Sequence, residues 1–203
     1  MRKFSHFLAI DWSGAKGERQ RGIALALTHA DGGPPVLVKP PPRGWARLEV
    51  LAILRDELPP DTLVGMDMGI SLPFADAGAF FPDWGDSPAD APALWALIDG
   101  ICHADPHLEA GSVLVEIYTS IAARSGGVGK GRTKIRNYDE LNAALEQLDT
   151  PPVPASGQVD DHSADALVIA AWLRHVAQDP QYWHPAGLSV EIAQTEGWTF
   201  GAV

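Results

Sequence analysis

Three carboxylates in this sequence end apolar runs of strand length. Asp11 follows Phe7-Leu8-Ala9-Ile10, Asp67 ends the run that begins at Thr62, and Glu116 follows Val113-Leu114-Val115. Such runs form strands whose faces are buried, so an acid at the end of a run lies where the core opens to solvent. The small residues after Asp11 (Ser13-Gly14-Ala15) let a ligand approach the backbone closely. We therefore expect Asp11 to mark a site that the other acids also reach.

Two further acids share one face of a predicted helix. Asp161 and Asp165 are four residues apart, and the same stripe continues with Val168 and Trp172. This spacing predicts that both acids lie at the N-terminal end of the face that packs inward. Charged side chains seldom occupy such a face unless they are paired or bind a metal. N-capping by Asp160 or Asp161 is the alternative, and it explains one acid but not Asp165.

These five acids, Asp11, Asp67, Glu116, Asp161 and Asp165, are predicted to project from one edge of the fold. Ionised carboxylates do not crowd together without a cation, because each raises the pKa of the others. Hard oxygen ligands select Mg²⁺ or Mn²⁺. Two such ions can activate a water molecule and stabilise a leaving phosphate oxygen. The sequence therefore predicts a divalent-cation site.

The segment from Arg124 to Tyr138 is the one basic cluster of an acidic chain, and it contains four glycines. Two interpretations stay open: a solvated, mobile loop, or a flexible arm that contacts phosphates. The candidate phosphate-binding residues are Lys16, in the turn after Asp11, and Arg124, Lys130, Arg132 and Lys134.

Other chemistries have weaker signals. Cys102 has no partner base that the sequence can place, so a buried structural thiol is the better interpretation. Among the seven histidines, His162 is the candidate for a role in the site, because it lies between the two helix acids. The chain contains neither a GxGxxG nor a Walker A sequence, so nucleotide binding of those kinds is unsupported.

The elements that would position these residues form an α/β pattern. Three short strands predict an antiparallel meander, and a helix then leads to a strand that ends in Asp67 and runs parallel to the first. The carboxyl ends of parallel strands are where open α/β sheets hold ligands. The predicted strands are 4–11, 21–28, 36–38, 62–67 and 113–118, and the predicted helices are 45–58, 93–103, 139–148 and 160–175. Residues 69–92 are predicted to form a lid or a packed loop. Residues 188–203 are predicted to pack back onto the sheet or the lid.

Composition sets limits on the class of protein. The 203 residues are 46% hydrophobic and 20% charged, which predicts a single domain over 1–203. The net charge of −11 opposes nonspecific binding of long nucleic acids, which usually depends on a basic surface. No apolar run approaches the roughly 18 residues of a membrane span. The lone cysteine and the absence of a secretory signal at the first residues predict a cytoplasmic protein with no membrane partner.

The order of meander, helix, strand, helix, strand and late acidic helix resembles the ribonuclease H-like fold. More closely, the chain resembles domain-of-unknown-function family 429, described as predicted RNase H-like nucleases. The short matching segments span nearly the whole chain: Ile10-Asp11, Gly65-Met66-Asp67 with Leu72-Pro73, Val115-Glu116-Ile117-Tyr118, Asp161-His162 through Leu167, and Glu196-Gly197-Trp198. The resemblance implies a central mixed five-stranded sheet flanked by helices.

The resemblance also implies metal-binding acids on the first strand, the fourth strand and the last helix, which correspond to Asp11, Asp67 and Asp165, with Asp161 as a companion. The first hypothesis is thus a Mg²⁺- or Mn²⁺-dependent phosphodiesterase or nuclease, in which Glu116 is an outer ligand or a water-orienting base. Its substrate would be a short or structured nucleic acid or a nucleotide.

Two other functions stay open. A phosphotransferase of the actin and sugar-kinase type shares this core, and Asp11 followed by Ser13-Gly14 resembles its first phosphate-binding turn, but the chain shows no internal repeat. A non-catalytic binding or scaffold protein could keep the acids as a structural cation site.

Overall fold

The structure is a computed structural model that describes residues 3–68, 77–90, 93, 94, 96, 97, 100, 112–127, 134–195 and 198–202. Several sequence predictions lie outside the described residues. These are part of the lid segment 69–92, most of the helix predicted over 93–103, Cys102, and the basic residues Lys130 and Arg132.

The described residues form a mixed α/β fold around a five-stranded sheet. Its strands are β1 (His6–Asp11), β3 (Ala24–His29), β4 (Val36–Leu37), β6 (Thr62–Asp67) and β7 (Val113–Glu116); two short strands, β2 (Arg19–Gln20) and β5 (Trp45–Ala46), pair separately. The spatial order is β4-β3-β1-β6-β7. Strands β4, β3 and β1 are antiparallel neighbours, while β1, β6 and β7 are parallel. The predicted meander and the parallel fourth strand are therefore confirmed.

Strand β1 lies at the centre of the sheet, which explains its continuous apolar sequence. Phe7 and Ala9 belong to the core on one face, and Leu8 and Ile10 belong to the core on the other. A strand with both faces covered has no solvent side on which polar residues could alternate.

The first face is covered by the long helix α4 (Asp161–Val176), whose packing depends on small residues. Gly65 in β6 faces this helix, and a Cβ atom there would lie 2.8 Å from a methyl carbon of Leu173. The helix approaches the sheet closely because this side chain is missing. Val168 and Trp172, which continue the stripe from Asp165, are both buried as the spacing predicted.

The second face is covered by a segment for which the sequence predicted one helix over 45–58. The segment instead begins as β5, continues as α1 (Arg47–Ala52), and ends in a π-helical turn (Ile53–Glu57). Val50 packs into the core of this face, whereas Leu48 and Leu51, two of the apolar residues whose helical spacing predicted the helix, are exposed. The periodicity located the segment but gave its inward face only in part.

The remaining helices are α2 (Thr119–Ser125), α3 (Tyr138–Glu146), α5 (Pro180–Trp183) and α6 (Val190–Thr195). Helix α2 was missed: the predicted strand ends at residue 118, residues 119–123 were assigned to no element, and the last two residues of the helix were placed in the basic segment. The C-terminal residues return to the sheet, as predicted: the backbone N–H of Phe200 donates to the carbonyl of Glu116, and the Phe200 ring packs on Trp172. No helix among the described residues is long and apolar enough to cross a membrane.

Candidate functional site

Asp11 and Asp67 are register partners at the carboxyl ends of the parallel strands β1 and β6. Both belong to the face of the sheet that helix α4 covers, because they follow Ala9 and Gly65 by two residues along their strands. The prediction that these two acids end neighbouring parallel strands is confirmed.

The Asp11 side chain is buried and contacts the first turn of helix α4. The Nδ1 atom of His162 lies 2.5 Å from Oδ2 of Asp11, and it donates the hydrogen bond when the carboxylate is ionised. Burial raises the pKa of Asp11 to about 6, and the charges of Asp67 and Asp160 act in the same direction, while the hydrogen bond and charge of His162 oppose the rise. The negative charge of the ionised Asp11 carboxylate is therefore only partly compensated by His162.

Gly22 provides the space that the His162 ring occupies. A Cβ atom on Gly22 would lie 2.9 Å from Nε2 of His162, which is closer than a Cβ atom approaches a heavy atom of another residue. The sequence marked His162 as a candidate by its position between two acids, but nothing marked Gly22.

Asp67 is half-buried, and its partner comes from helix α2. The hydroxyl of Thr119, the first residue of that helix, donates to Oδ2 of Asp67. This contact joins residues 52 positions apart in sequence. No local pattern could have indicated it.

Asp165 lies one helical turn beyond Asp161, and its environment is the least compensated. Its carboxyl group forms no hydrogen bond or ion pair within the described part of the chain. Burial raises its pKa to about 7, and the charges of Asp11, Asp161 and Asp67 contribute, with His162 opposing. Asp165 thus lies within electrostatic reach of both strand-end acids.

The two acids at the start of helix α4 have different roles. Asp160 is the N-cap, since its Oδ1 accepts from the backbone N–H of Ser163 at 3.0 Å. Asp161 forms an ion pair with Lys134, whose hydrogen bond lowers the pKa of the Asp161 carboxyl. Capping therefore explains Asp160 and pairing explains Asp161.

Glu116 ends its strand at the predicted edge but lies apart from the aspartates. Its register partner on β6 is Met66, which packs in the core of the opposite face. Register partners on parallel strands share a face, so the sheet separates Glu116 from Asp11 and Asp67. Its Oε1 atom accepts from the Thr199 hydroxyl at 2.9 Å. Glu116 therefore ends its strand at the predicted edge, with its side chain on the face opposite that of Asp11 and Asp67.

The described basic candidates occupy three separate positions. Lys16 is exposed in the loop after β1, and Arg124 is exposed in the last turn of helix α2 rather than in a glycine loop. Lys134 is held by Asp161. A further cation, Arg47, was missed by sequence reasoning: its guanidinium donates to the carbonyl of Ala15 at 2.8 Å and so fixes the loop that follows Asp11.

The carboxylate oxygens of the site are the kind of ligand that a hard cation prefers, but the side chains are not gathered around one point. Within the described ranges, no group of three or more His, Cys, Asp or Glu side chains is gathered so that it could hold a metal ion. The structure brings together a strand-end pair, Asp11 and Asp67, with Asp165 within electrostatic reach. Comparison with known proteins adds no assignment, since no family model, no curated protein and no solved structure matches the chain significantly.

Proposed function

We propose that this chain is a Mg²⁺- or Mn²⁺-dependent phosphodiesterase of the ribonuclease H-like type, acting on nucleic acid or a nucleotide. The observation that carries the proposal is that Asp11 and Asp67 are register partners at the ends of neighbouring parallel strands. Asp165 in helix α4 is close enough for their charges to raise its pKa. The sheet order supports it, because an antiparallel meander followed by two parallel strands is what the resemblance predicts.

The raised pKa values of Asp11 and Asp165 support a cation at this place. The pKa values of about 6 and about 7 mean that burial disfavours the negative charge of these two carboxyl groups and that His162 compensates it only in part. Asp11, Asp67 and Asp165 would hold the ion, and their oxygen atoms are the ligands that Mg²⁺ and Mn²⁺ prefer. When bound, the ion would activate water and stabilise the leaving oxygen of a phosphodiester. Because the three side chains are not gathered around one point, the proposal requires them to turn toward one another when the ion binds.

The chain's own residues would orient the acids and the substrate. His162 holds one oxygen of Asp11, and Thr119 holds one oxygen of Asp67, so each strand-end carboxylate is fixed from a different helix. Lys134, which pairs with Asp161 at the start of helix α4, would exchange this bond for one to a substrate phosphate. Lys16 and Arg124 are exposed and remain candidates for phosphate contacts, as do Lys130 and Arg132 from the sequence.

The test is Mn²⁺ binding by calorimetry, followed by hydrolysis of a chromogenic phosphodiester and of short RNA and DNA strands. Asp11→Asn and Asp165→Asn should each abolish saturable Mn²⁺ binding and hydrolysis. Asp149→Asn is the matched control, because Asp149 is an exposed aspartate near His175, at the far end of helix α4. Tight Mn²⁺ binding that survives both site substitutions would show that the wrong acids were chosen.

One observation favours a second candidate, a non-catalytic protein with a structural polar cluster. Both strand-end aspartates already have a hydrogen-bonding partner, as acids with a purely structural role do. Wild-type protein that binds no Mn²⁺ at millimolar concentration, with and without phosphate, would favour this candidate.

A further inference from the structure

A cavity of about 240 Å³ lies beside the acid site, between strands β3 and β4 and the N-terminal end of helix α4. Its lining is part polar and part apolar. The half-buried Leu37 and Val38 and a run of three prolines over 40–42 supply the accessible apolar surface, whereas Ile23, Leu25 and Trp45 also line the cavity but are buried. Proline has no N–H and a fixed φ angle, so the proline part of the lining is stiff and presents ring surface rather than hydrogen-bond donors.

One end of the cavity is polar. Asp160 and Ser163 line it from the first turn of helix α4, and Arg21 lines it from the segment before β3. Oδ1 of Asp160 already accepts the capping bond from Ser163, which fixes the orientation of the carboxylate. The carboxylate is exposed and accepts hydrogen bonds only, so it selects a ligand edge that donates N–H or O–H.

His162 connects the lining of the cavity with the acid site. Arg21 and Ile23, which line the cavity, flank Gly22, and Gly22 is the residue against which the His162 ring packs. His162 in turn contacts Asp11. Asp160 is close enough for its charge to raise the pKa of Asp11. A ligand of modest length could therefore occupy both places at once.

We propose that this cavity binds the base of a nucleoside phosphate whose phosphate group lies at Asp11 and Asp67, and that Asp160 selects bases that carry an exocyclic amino group. The inference rests on the proposed function and names its substrate class. The accessible apolar part of the lining, Leu37, Val38 and the prolines, suits the flat face of a base better than a sugar, whose hydroxyls it would leave unpaired. The volume falls below the roughly 300–1,000 Å³ of pockets that take whole drug-sized ligands, so one ring system fills it.

The amino-group preference follows from the hydrogen-bonding pattern of the bases. A carboxylate accepts from the N4 amino group of cytosine, whereas uracil presents the O4 oxygen at the same place and would be repelled. Cytidine and uridine 5′-monophosphates therefore form a matched pair of probes that differ only at this edge.

The experiment measures binding of both nucleotides by calorimetry in the presence of Mn²⁺. Wild-type protein should bind cytidine monophosphate at least about tenfold more tightly than uridine monophosphate, and Asp160→Asn should remove most of that preference. Asparagine caps helices as well as aspartate does, so the helix is retained. Asp179→Asn, which alters the N-cap of helix α5, is the matched control and should keep the preference. Ser163→Leu, which narrows the polar end of the cavity, should weaken the binding of both nucleotides.

The outcomes separate the cavity from the proposed function. Three results would overturn the inference. The wild type could bind the two nucleotides equally well, its preference could survive Asp160→Asn, or neither nucleotide could bind at millimolar concentration. Mn²⁺-dependent hydrolysis without any base preference would overturn the base-binding role of the cavity and leave the proposed function intact. A base preference that needs no Mn²⁺ and survives Asp11→Asn would overturn the phosphate placement and the proposed function together, and would leave a base-binding cavity.

Discussion

Removing the charge of Asp165 should make the metal-free protein more stable at neutral and alkaline pH. The carboxyl group is half-buried and has no hydrogen-bonding partner within the described residues. Burial, with the charges of Asp11 and Asp161, raises its pKa from 3.8 to about 7. The asparagine side chain of Asp165→Asn has nearly the same shape as aspartate and no charge. The substitution therefore removes the free-energy cost of the buried charge without breaking a native hydrogen bond.

The sign and size follow from proton linkage. The native state keeps this proton to a higher pH than the unfolded chain, so the wild-type free energy of unfolding falls between about pH 4 and about pH 7 and then levels off. One pKa unit corresponds to about 1.4 kcal/mol, which would give about 4 kcal/mol for the whole displacement. Solvent screening of a half-buried group lowers the expected gain for Asp165→Asn to about 2–3 kcal/mol above pH 7.

Urea unfolding in the presence of a chelator, at about pH 4.5 and at about pH 8, measures this difference. Asp11, whose pKa is also raised, adds a slope of its own to both proteins, so the quantity compared is the variant minus the wild type. The difference should be small at the lower pH and largest at the higher one, and Asp149→Asn should show no such trend. A variant that is equally stable or less stable at pH 8 would refute the reasoning, because it would mean that the Asp165 charge is compensated in the native state.

Three further substitutions test the packing around the site, each by urea unfolding. Gly65→Ala places a methyl group 2.8 Å from a Leu173 methyl carbon, so the free energy of unfolding should fall by about 1–3 kcal/mol, and no loss would mean that the helix can shift. Arg174→Met removes bonds to four oxygen acceptors and should cost about 2–4 kcal/mol; a neutral result would show that solvent replaces them. Lys134→Gln breaks a largely exposed ion pair with Asp161 and should cost no more than about 1 kcal/mol, while a larger loss would assign the pair a structural role.

The sequence predicts the backbone of this site better than its hydrogen bonds. Asp11 and Asp67 were placed correctly because a buried strand has a strong local signature and because a helix between two strands favours a parallel pair. The Asp165 stripe was placed correctly because helical periodicity is local as well. Their partners were not predicted in the same way. Thr119 lies 52 residues from Asp67, and that pairing depends on how a helix docks against the sheet.

Glu116 shows the limit of the strand-end rule. The rule places an acid at an edge, but the side chain's face depends on register, and a displacement of one residue moves a side chain to the other face. Glu116 pairs with Met66, one position short of Asp67, and therefore belongs to the opposite face. The start of helix α4 shows a second limit, because a single sequence could not decide whether Asp160 or Asp161 was the cap.

The two ends of helix α4 show why the acids at its start favour a ligand. At the C-terminal end, the half-buried Arg174 donates to four oxygens of the surrounding loops and strand, which is how a structural charge is satisfied. At the N-terminal end, Asp165 has no such partner among the residues that the structure describes, and the charges of Asp11, Asp161 and Asp67 act against its own. The same helix therefore carries one charge that stabilises the fold and one that opposes it. Under the proposed function a bound cation would supply the missing counter-charge, and the Asp165→Asn stability measurement tests independently of any substrate whether the Asp165 charge is uncompensated.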